Sequence, residues 1–311
     1  MTYGGIDVGG TKIEARLFNE NFETVELRRI PTPKETLSGF IDALSQQVQW
    51  LEKLSGQGCS LPVGIAIPGL IDAETRRAFT SNLPASGHDI PALLSQAIGR
   101  ELPIMNDCQA FALSEANGGA GDGFNTVVGL IMGTGVGAGL TSSGALTRRR
   151  NGSALEIGHL GVPARLVQTL GLPLFSCGCG KIGCFEAYAS GNGLAALGRF
   201  HTGHQVKAEE IVAEAAAGHA ESLAILSEWA EVVAELLLLI QLAHDPDCIV
   251  LGGGLSSIPD VISLVETPFK SIRLGEMRLP VIRVAVNGDS SGARGAAIMA
   301  TRIEISATGD L

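Results

Sequence analysis

The sequence predicts an α/β protein built from two similar halves. Predicted strands alternate with predicted helices along the 311 residues, which is the pattern of an α/β architecture. Two glycine-rich turns of similar design, beginning at Asp7 and Gly133, each follow a predicted strand and lie 126 residues apart (133 − 7). Ligands of open α/β folds bind beyond the carboxyl ends of strands, so the pattern predicts a nucleotide in a cleft between the two halves.

The order of elements follows from apolar periodicity. Ile6 leads into the first glycine-rich turn, and leucine, isoleucine and phenylalanine at helical spacing predict an amphipathic helix over roughly 36–54. Asn106–Asp107 ends a strand and precedes a helix that should begin near Gln109–Ala110. A long helical region is predicted near 208–243. Further strands are predicted at Ala15–Phe18, Thr24–Leu27, Pro62–Ile67, Ile104–Met105, Thr126–Met132, Cys248–Leu251 and Val281–Val286.

Composition excludes several classes of protein. The net charge of −10 argues against a nucleic-acid surface, and the basic run Arg148–Arg150 is interpreted as a solvated turn. The apolar stretch Leu236–Ile240 is far shorter than the roughly 20 residues of a membrane span, so it is expected in a helix core. No secretory signal precedes the first predicted strand. We therefore expect a cytoplasmic protein whose partner is a small molecule.

Cysteine spacing predicts a metal site. Three of the six cysteines, Cys177, Cys179 and Cys184, crowd into eight residues with glycines between them. Together with His159 they form a Cys₃His set, which is typical of structural zinc. The alternative is a group of reduced, buried cysteines. Zinc here would also anchor Glu156 and Glu186, whose carboxylates could accept hydrogen bonds from sugar hydroxyls.

The glycine-rich turns are candidates for phosphate binding. In Asp7–Lys12 the adjacent Gly9 and Gly10 let backbone N–H groups approach phosphate oxygens, and Asp7 could hold Mg²⁺ through water. In Gly133–Gly139 the glycines fall on every other residue, which suits a phosphate clamp on a hairpin. The turn at Gly253–Gly254 would let the backbone approach adenine or ribose. A plain tight turn remains the alternative in each case.

Asp107 is the candidate catalytic base. A carboxylate at the end of a strand faces the predicted cleft, where it could take the proton of an attacking hydroxyl. The alternative is an N-cap of the following helix, a position to which Asp is also well suited.

Six motifs, in order along nearly the whole chain, resemble the ROK family (repressors, open reading frames and kinases). They are DVGGTK, NDCQAFALSEA, GTGVGAG, EIGH, CGCGKIGCFEAYASG and DPDCIVLGGGLS. The resemblance implies an α/β, actin-like or hexokinase-type (ribonuclease H-like) two-lobe fold with a central cleft. The lobes are predicted as 1–107 plus 293–311 and 108–292, the second carrying the zinc knuckle.

The resemblance also implies roles for individual residues. Asp107 matches the family's catalytic base. Residues matching its sugar site are Gly69, Asn82, Asn106, Asp107, Glu156, His159 and Glu186. Residues matching its nucleotide site are Asp7, Gly9, Gly10, Thr11, Lys12, Gly133, Thr134, Gly135, Gly137, Gly253 and Gly254. His159, Cys177, Cys179 and Cys184 match its zinc ligands.

The implied activity is transfer of phosphate from Mg-ATP to the 6-hydroxyl of a hexose or N-acetylhexosamine, by a homodimer. Ser81–Gly87 lacks a tryptophan and resembles the family's N-acetylglucosamine kinases, whereas Asn287–Gly292 resembles a fructokinase tail. N-acetylglucosamine is the expected substrate, with fructose, glucose and N-acetylmannosamine as alternatives. The family's repressors carry a helix-turn-helix ahead of the first turn, and with that turn at residue 7 we expect a kinase. A sugar sensor without activity is the other alternative.

Overall fold

The computed structural model describes residues 1–147, 149 and 151–308, without the side chains of 303–308. Arg148 and Arg150 of the basic run, and 309–311 of the predicted first lobe, lie outside the described residues. The strands are β1 Tyr3–Val8, β2 Lys12–Phe18, β3 Thr24–Pro31, β4 Val63–Ile67, β5 Leu70–Ile71, β6 Ala78–Phe79, β7 Ile104–Asn106, β8 Thr126–Met132, β9 Val136–Ser142, β10 Ala145–Leu146, β11 Cys248–Gly252 and β12 Val281–Val284. The helices are α1 Leu37–Ser55, α2 Ile90–Ile98, α3 Asp107–Glu115, α4 Ala164–Leu170, α5 Glu186–Ala189, α6 Gly191–Thr202, α7 Ala208–Ala216, α8 Ala220–His244, α9 Val261–Ile272 and α10 Ser291–Thr308.

The chain forms two compact units, which confirms the predicted α/β class. The first comprises 1–122, 139–154 and 287–311, and the second comprises 123–138 and 155–286. These boundaries are not the predicted lobe boundaries at 107 and 292, because α3 packs on α10 within the first unit. The lobe division itself stays a prediction.

The first unit is built on a five-stranded sheet with the order β3-β2-β1-β4-β7. β1, β2 and β3 form antiparallel neighbours, whereas β1, β4 and β7 run parallel. The carboxyl ends of three strands therefore meet at one edge of the sheet. Helix α1 covers one face, and Thr36 caps it by accepting a hydrogen bond from the Gly39 amide at 3.2 Å, which confirms the predicted helix.

Glycines allow α10 to lie unusually close to its neighbours in this unit. A Cβ at Gly5 of β1 would stand 1.9 Å from the Ala293 carbonyl oxygen, and one at Gly64 of β4 would stand 2.0 Å from that of Ala296. Gly295 of α10 makes the same approach to the Ala110 carbonyl of α3, at 1.9 Å. No larger residue fits at these three contacts, so the start of α10 is fixed over the sheet.

The second unit centres on β11, which is fully buried and pairs in parallel with β8 and β12. β9 starts beside β8 after the Gly133–Gly135 turn. Helix α8 supplies much of the core, with Trp229 and Leu236 inaccessible to solvent, as predicted for this stretch.

Two predicted elements need correction. The helical region near 208–243 is two helices, because the chain breaks after α7 at Gly218 (φ 87°) before α8 starts at Ala220. Helix α3 begins at Asp107, not near Gln109–Ala110, because Asn106 supplies its N-cap. Within the described part of the chain, no helix has the length and apolarity needed to cross a bilayer.

Candidate active site and metal centre

The carboxyl edge of the first sheet brings three predicted site residues together. Asp7 of β1 pairs in register with Ala66 of β4, and Asn106 of β7 pairs with Ile67. Gly69 follows β4 two residues later and has φ 99°, where a Cβ would stand 2.2 Å from the Phe79 carbonyl oxygen. Only glycine fits there, so the chain turns sharply at this edge.

Asn106 connects this edge to α3. Its Oδ1 accepts hydrogen bonds from the amides of Cys108 (2.8 Å) and Gln109 (3.1 Å), and its Nδ2 donates to the Gly69 carbonyl (2.7 Å). Asn106 is therefore the N-cap that the alternative interpretation assigned to Asp107. Asp107 is the first residue of the helix, and it is half-buried, with Oδ1 accepting from the Cys108 amide at 2.9 Å.

Asp7 lies against the start of α10, where a Cβ at Gly292 would meet its carboxyl carbon at 2.6 Å. The pKa of Asp7 is raised to about 7, first by burial of the carboxyl group and then by the nearby carboxylates of Asp107 and Glu14, against the opposing effect of Lys12 and Arg16. Asp7 is therefore poised between its neutral and charged forms near neutral pH. A cation bound here would favour the charged form.

Glu14 is a buried carboxylate that the sequence interpretation missed. It pairs with Asp7 across β1 and β2 and is 2% exposed. Arg16 Nε lies 2.5 Å from Oε1, Arg29 donates to Oε2, and Lys12 Nζ lies 3.7 Å away. Burial alone would raise the pKa of Glu14, but the hydrogen bonds from Arg29 and Arg16 outweigh it and hold the pKa below its usual value. The signal available in the sequence was a row of charged residues at facing positions of three adjacent strands: Asp7 in β1, Glu14 in β2 and Arg29 in β3.

The first glycine-rich turn is a tight hairpin turn between β1 and β2. The Gly9 amide donates to the Lys12 carbonyl (2.8 Å), and the Thr32 hydroxyl donates to the Gly9 carbonyl (2.7 Å). Gly10 has open space apart from Asn82, whose Cβ lies 4.0 Å from the position of a Cβ at Gly10. The predicted residues Gly10 and Asn82 are thus neighbours, while Thr11 and Lys12 are exposed.

The second glycine-rich turn, Gly133–Gly135, is held from two sides. The Gly191 amide donates to the Gly133 carbonyl (2.7 Å), and Asn192 Nδ2 donates to the Thr134 carbonyl (3.2 Å). Gly253, with φ 81°, backs onto the turn, because a Cβ there would stand 2.4 Å from the Met132 carbonyl oxygen. Gly137 lies within β9, outside the turn.

A cavity of about 830 Å³ opens beside this turn in the second unit. The N-terminal ends of α6 and α7 line it, and partial positive charge at helix N-termini favours anionic ligands. On the α7 side, Ala208, Val212, Ala213 and Ala216 form an apolar strip beside Glu209, and such a strip suits a flat heterocycle. Of the predicted nucleotide residues, Gly133, Thr134 and Gly254 line the cavity. Sequence reasoning missed the others: Gly191, Asn192, Ala195, Gln205, Val206, Lys207, Ala208, Glu209, Val212, Ala213, Ala216, Leu255, Ser257 and Ile258.

The predicted zinc ligands converge. One ligand atom from each of His159, Cys177, Cys179 and Cys184 lies within 4.8 Å of all the others. His159 Nδ1 is 3.6 Å from Cys177 Sγ, and the sulfurs of Cys179 and Cys184 are 3.7 Å apart. Tetrahedral zinc with bonds of ~2.3 Å to sulfur and ~2.0 Å to nitrogen requires separations of about 3.8 and 3.5 Å. The donor set therefore fits zinc.

The knuckle that carries the cysteines is organised by its backbone. The Cys177 amide donates to the Lys181 carbonyl (2.8 Å), and Gly180 and Gly183 turn the chain at φ 86° and 71°. Burial raises the pKa of Cys177 to about 12, so metal binding would have to displace its proton.

The two predicted carboxylates beside the metal site differ in their surroundings. Glu156 is exposed and precedes the short 3₁₀ turn Ile157–His159. Glu186 is the first residue of α5 and is partly buried, with Oε2 accepting from the Val136 amide (3.0 Å) and Oε1 lying 3.6 Å from Cys177 Sγ. The structure thus places Glu186, but not Glu156, in contact with the second glycine-rich turn.

Comparison with known proteins identifies the class. The ROK family model matches residues 3–303, and the chain belongs to the ROK family, as the motifs predicted. The chain is 38% identical over 300 residues to an N-acetyl-D-glucosamine kinase of Yersinia pseudotuberculosis (96% of this chain, 98% of that protein). It is 35% identical over 302 residues to the N-acetylgalactosamine kinase AgaK of Shewanella sp. (96% of each).

Solved structures agree with the predicted fold. The ROK hexokinase of Thermus thermophilus superposes with a TM-score of 0.86 at 29% identity, over 99% of this chain and 100% of that one. A ROK glucokinase of Streptomyces griseus, solved with glucose and AMPPNP, gives 0.78 at 27% identity, over 97% of this chain and 100% of that one. The hexokinase-type fold is confirmed.

Proposed function

We propose that this protein is a kinase that transfers the γ-phosphate of Mg-ATP to the 6-hydroxyl of N-acetyl-D-glucosamine. The observation that carries the proposal is the 38% identity, over 96% of the chain, to relatives of that name. Groups suited to this reaction lie in each unit and support the proposal.

Asp107 acts as the general base. Asn106 caps α3 and Gly69 anchors Asn106, so the position of the Asp107 backbone is fixed before any substrate arrives. Phosphoryl transfer asks little more of the protein than a positioned group to accept the hydroxyl proton and donors to stabilise the developing charge. The carboxylate of Asp107 accepts the 6-hydroxyl proton as that oxygen attacks phosphorus.

The nucleotide binds in the cavity of the second unit. The apolar face of α7 holds the base, and the Gly133–Gly135 turn together with the N-terminus of α6 holds phosphate oxygens. In the first unit, the Gly9 amide is engaged by the Lys12 carbonyl, so the amides of Gly10 and Thr11 serve as backbone donors, and Asp7 would hold Mg²⁺ through water. When bound, that ion would neutralise charge on the transferred phosphate.

The sugar contacts Gly69, Asn82, Asn106, Glu156, His159 and Glu186. Both acceptor sites of Asn106 Oδ1 are occupied by amides of α3, so Asn106 serves the sugar through the second hydrogen of Nδ2. His159 turns Nδ1 toward Cys177, which leaves Nε2–H to donate to a hydroxyl. Zinc held by His159 and the three cysteines would be structural, because four protein ligands close its coordination shell.

A coupled ATP assay tests the proposal. N-acetylglucosamine should give the highest kcat/KM among N-acetylglucosamine, N-acetylgalactosamine, N-acetylmannosamine, glucose and fructose. The second candidate is an N-acetylgalactosamine kinase, which the AgaK relative favours. The two sugars differ only at the 4-hydroxyl, so a higher kcat/KM for N-acetylgalactosamine would replace the proposal with this one. Sugar binding without ADP release would indicate a sensor.

The proposal includes the cellular location and the oligomeric state of the protein. We place the protein in the cytoplasm, where its nucleotide and sugar would be found, and expect a homodimer. Light scattering coupled to size-exclusion chromatography should give about twice the 32.2 kDa chain mass. A mass equal to one chain would exclude the dimer.

A further inference from the structure

The side chain of Glu186 touches the second glycine-rich turn. Its Oε2 accepts the Val136 amide at 3.0 Å, immediately after the turn ends. A Cβ at Gly135 would stand only 2.6 Å from the same oxygen, so the carboxylate occupies the space beside the turn that any larger residue would need. Glu186 therefore holds the second arm of the turn in place.

The same side chain also touches the metal centre. Glu186 Oε1 lies 3.6 Å from Cys177 Sγ, and that sulfur lies 3.6 Å from His159 Nδ1. Glu186 follows the last ligand, Cys184, by two residues, so the knuckle and the carboxylate belong to one short segment. The segment Cys184–Glu186 thus joins the Cys₃His set to the turn, and the Glu186 side chain lies beside both.

The turn is a wall of the cavity, because Gly133 and Thr134 both line it. From the other side, donors at the start of α6 hold the carbonyls of these two residues. A Gly-Thr-Gly segment has little side-chain packing of its own and loses much conformational freedom when it is ordered. Within the turn, the Gly133 amide donates to the Gly135 carbonyl at 3.0 Å. Alignment of the turn for a ligand therefore also depends on groups outside it.

We propose that Glu186 is a positioning residue, which orders the Gly133–Gly135 turn for nucleotide phosphates and is itself held by the short segment Cys184–Glu186 that leaves the Cys₃His site. This inference rests on the proposed binding of ATP in the adjacent cavity. The metal centre would then have a second role. Zinc stabilises the knuckle, the knuckle positions the Glu186 carboxylate, and that carboxylate positions the Gly133–Gly135 turn.

The two oxygens of Glu186 have separate roles. Oε2 is committed to the Val136 amide. A zinc-bound Cys177 is a thiolate with no hydrogen to donate, so Oε1 is left to accept a hydrogen bond from a sugar hydroxyl. In Glu186→Gln the amide oxygen can keep the Val136 bond, while the amide nitrogen donates to the Cys177 sulfur and no longer accepts from the sugar. Glu186→Ala removes both the Val136 bond and the acceptor for the sugar.

The experiment measures binding of the non-hydrolysable analogue AMPPNP, without sugar, by calorimetry on the zinc-loaded protein. Glu186→Gln should bind within about twofold of the wild type, whereas Glu186→Ala should bind about 10- to 100-fold more weakly. Glu221→Gln, an exposed position on α8, is the matched control and should bind as the wild type does. In steady-state assays Glu186→Gln should raise KM for the sugar while KM for ATP stays unchanged.

Zinc content and a second variant separate positioning from misfolding. Gly135→Ala should displace the carboxylate and weaken AMPPNP binding as Glu186→Ala does, with zinc, measured by a chromogenic chelator after unfolding, at the wild-type level. The inference is overturned if Glu186→Ala or zinc-replete Gly135→Ala binds normally, or if Glu186→Gln binds as weakly as Glu186→Ala. A wild-type protein that binds no AMPPNP would instead overturn the proposed function, and this inference with it.

Discussion

Replacing Asp7 with Asn should stabilise the protein above neutral pH while it abolishes activity. Burial raises the pKa of Asp7 to about 7 from an ordinary value of 3.8, so the folded state resists ionisation of this carboxyl group. At 1.36 kcal/mol per pH unit, the difference corresponds to about 4 kcal/mol of destabilisation once the group is charged. Solvent screening at this half-buried position reduces the expected effect to about 2–4 kcal/mol.

The sign follows from proton linkage. Below about pH 3 the group is protonated in both states and costs nothing. As pH rises, the unfolded chain ionises near 3.8 and the folded chain near 7, so the wild type loses stability across this window relative to Asp7→Asn. Above about pH 8 the difference is constant. Roughly half of it should develop between pH 5 and pH 8.

The assay is urea unfolding followed by circular dichroism from pH 5 to 8.5, in buffer without magnesium. Asp42→Asn, an exposed position on α1 of the same unit, is the matched control and should show no such trend. If the stability difference between Asp7→Asn and the wild type stays flat with pH, or if the wild type is the more stable protein at pH 8, the account of Asp7 is wrong. Activity lost in the stabilised variant would mark Asp7 as a site where function costs stability.

Three further changes test other parts of the structure. Asp107→Asn should lower kcat by about 10²–10⁴-fold with little change in sugar affinity, and near-normal turnover would eliminate Asp107 as the base. Metal analysis should find about one zinc per chain, and Cys179→Ser should lose it and lower the melting temperature, whereas an active, metal-free wild type would remove zinc from the scheme. Gly295→Ala puts a Cβ 1.9 Å from the Ala110 carbonyl, so it should destabilise by about 2–3 kcal/mol in urea unfolding, and an unchanged midpoint would contradict the close approach of α10 and α3.

Local sequence determined the family, the α/β class and most strand and helix positions. The hairpin turn at Gly9–Gly10 and the Cys₃His set were predictable because each depends on residues close in sequence, or on ligand types that only a metal brings together. The limits of local reasoning show at α3. Asn and Asp are both good N-caps, and the choice between the two adjacent positions depends on Gly69, 37 residues away, whose carbonyl accepts a hydrogen bond from the Asn106 side chain.

Only the tertiary structure decided the surroundings of the charged groups. The raised pKa of Asp7 depends on burial beneath the start of α10 and on carboxylates from β2 and α3, which no sequence window contains together. The cavity wall on α7 likewise carries no motif, since it requires only apolar residues of suitable size on one face of a helix. The sequence by itself specified which groups can do the chemistry. Packing of distant segments specified their charge, their partners and their orientation, because desolvation and hydrogen bonding act through space rather than along the chain.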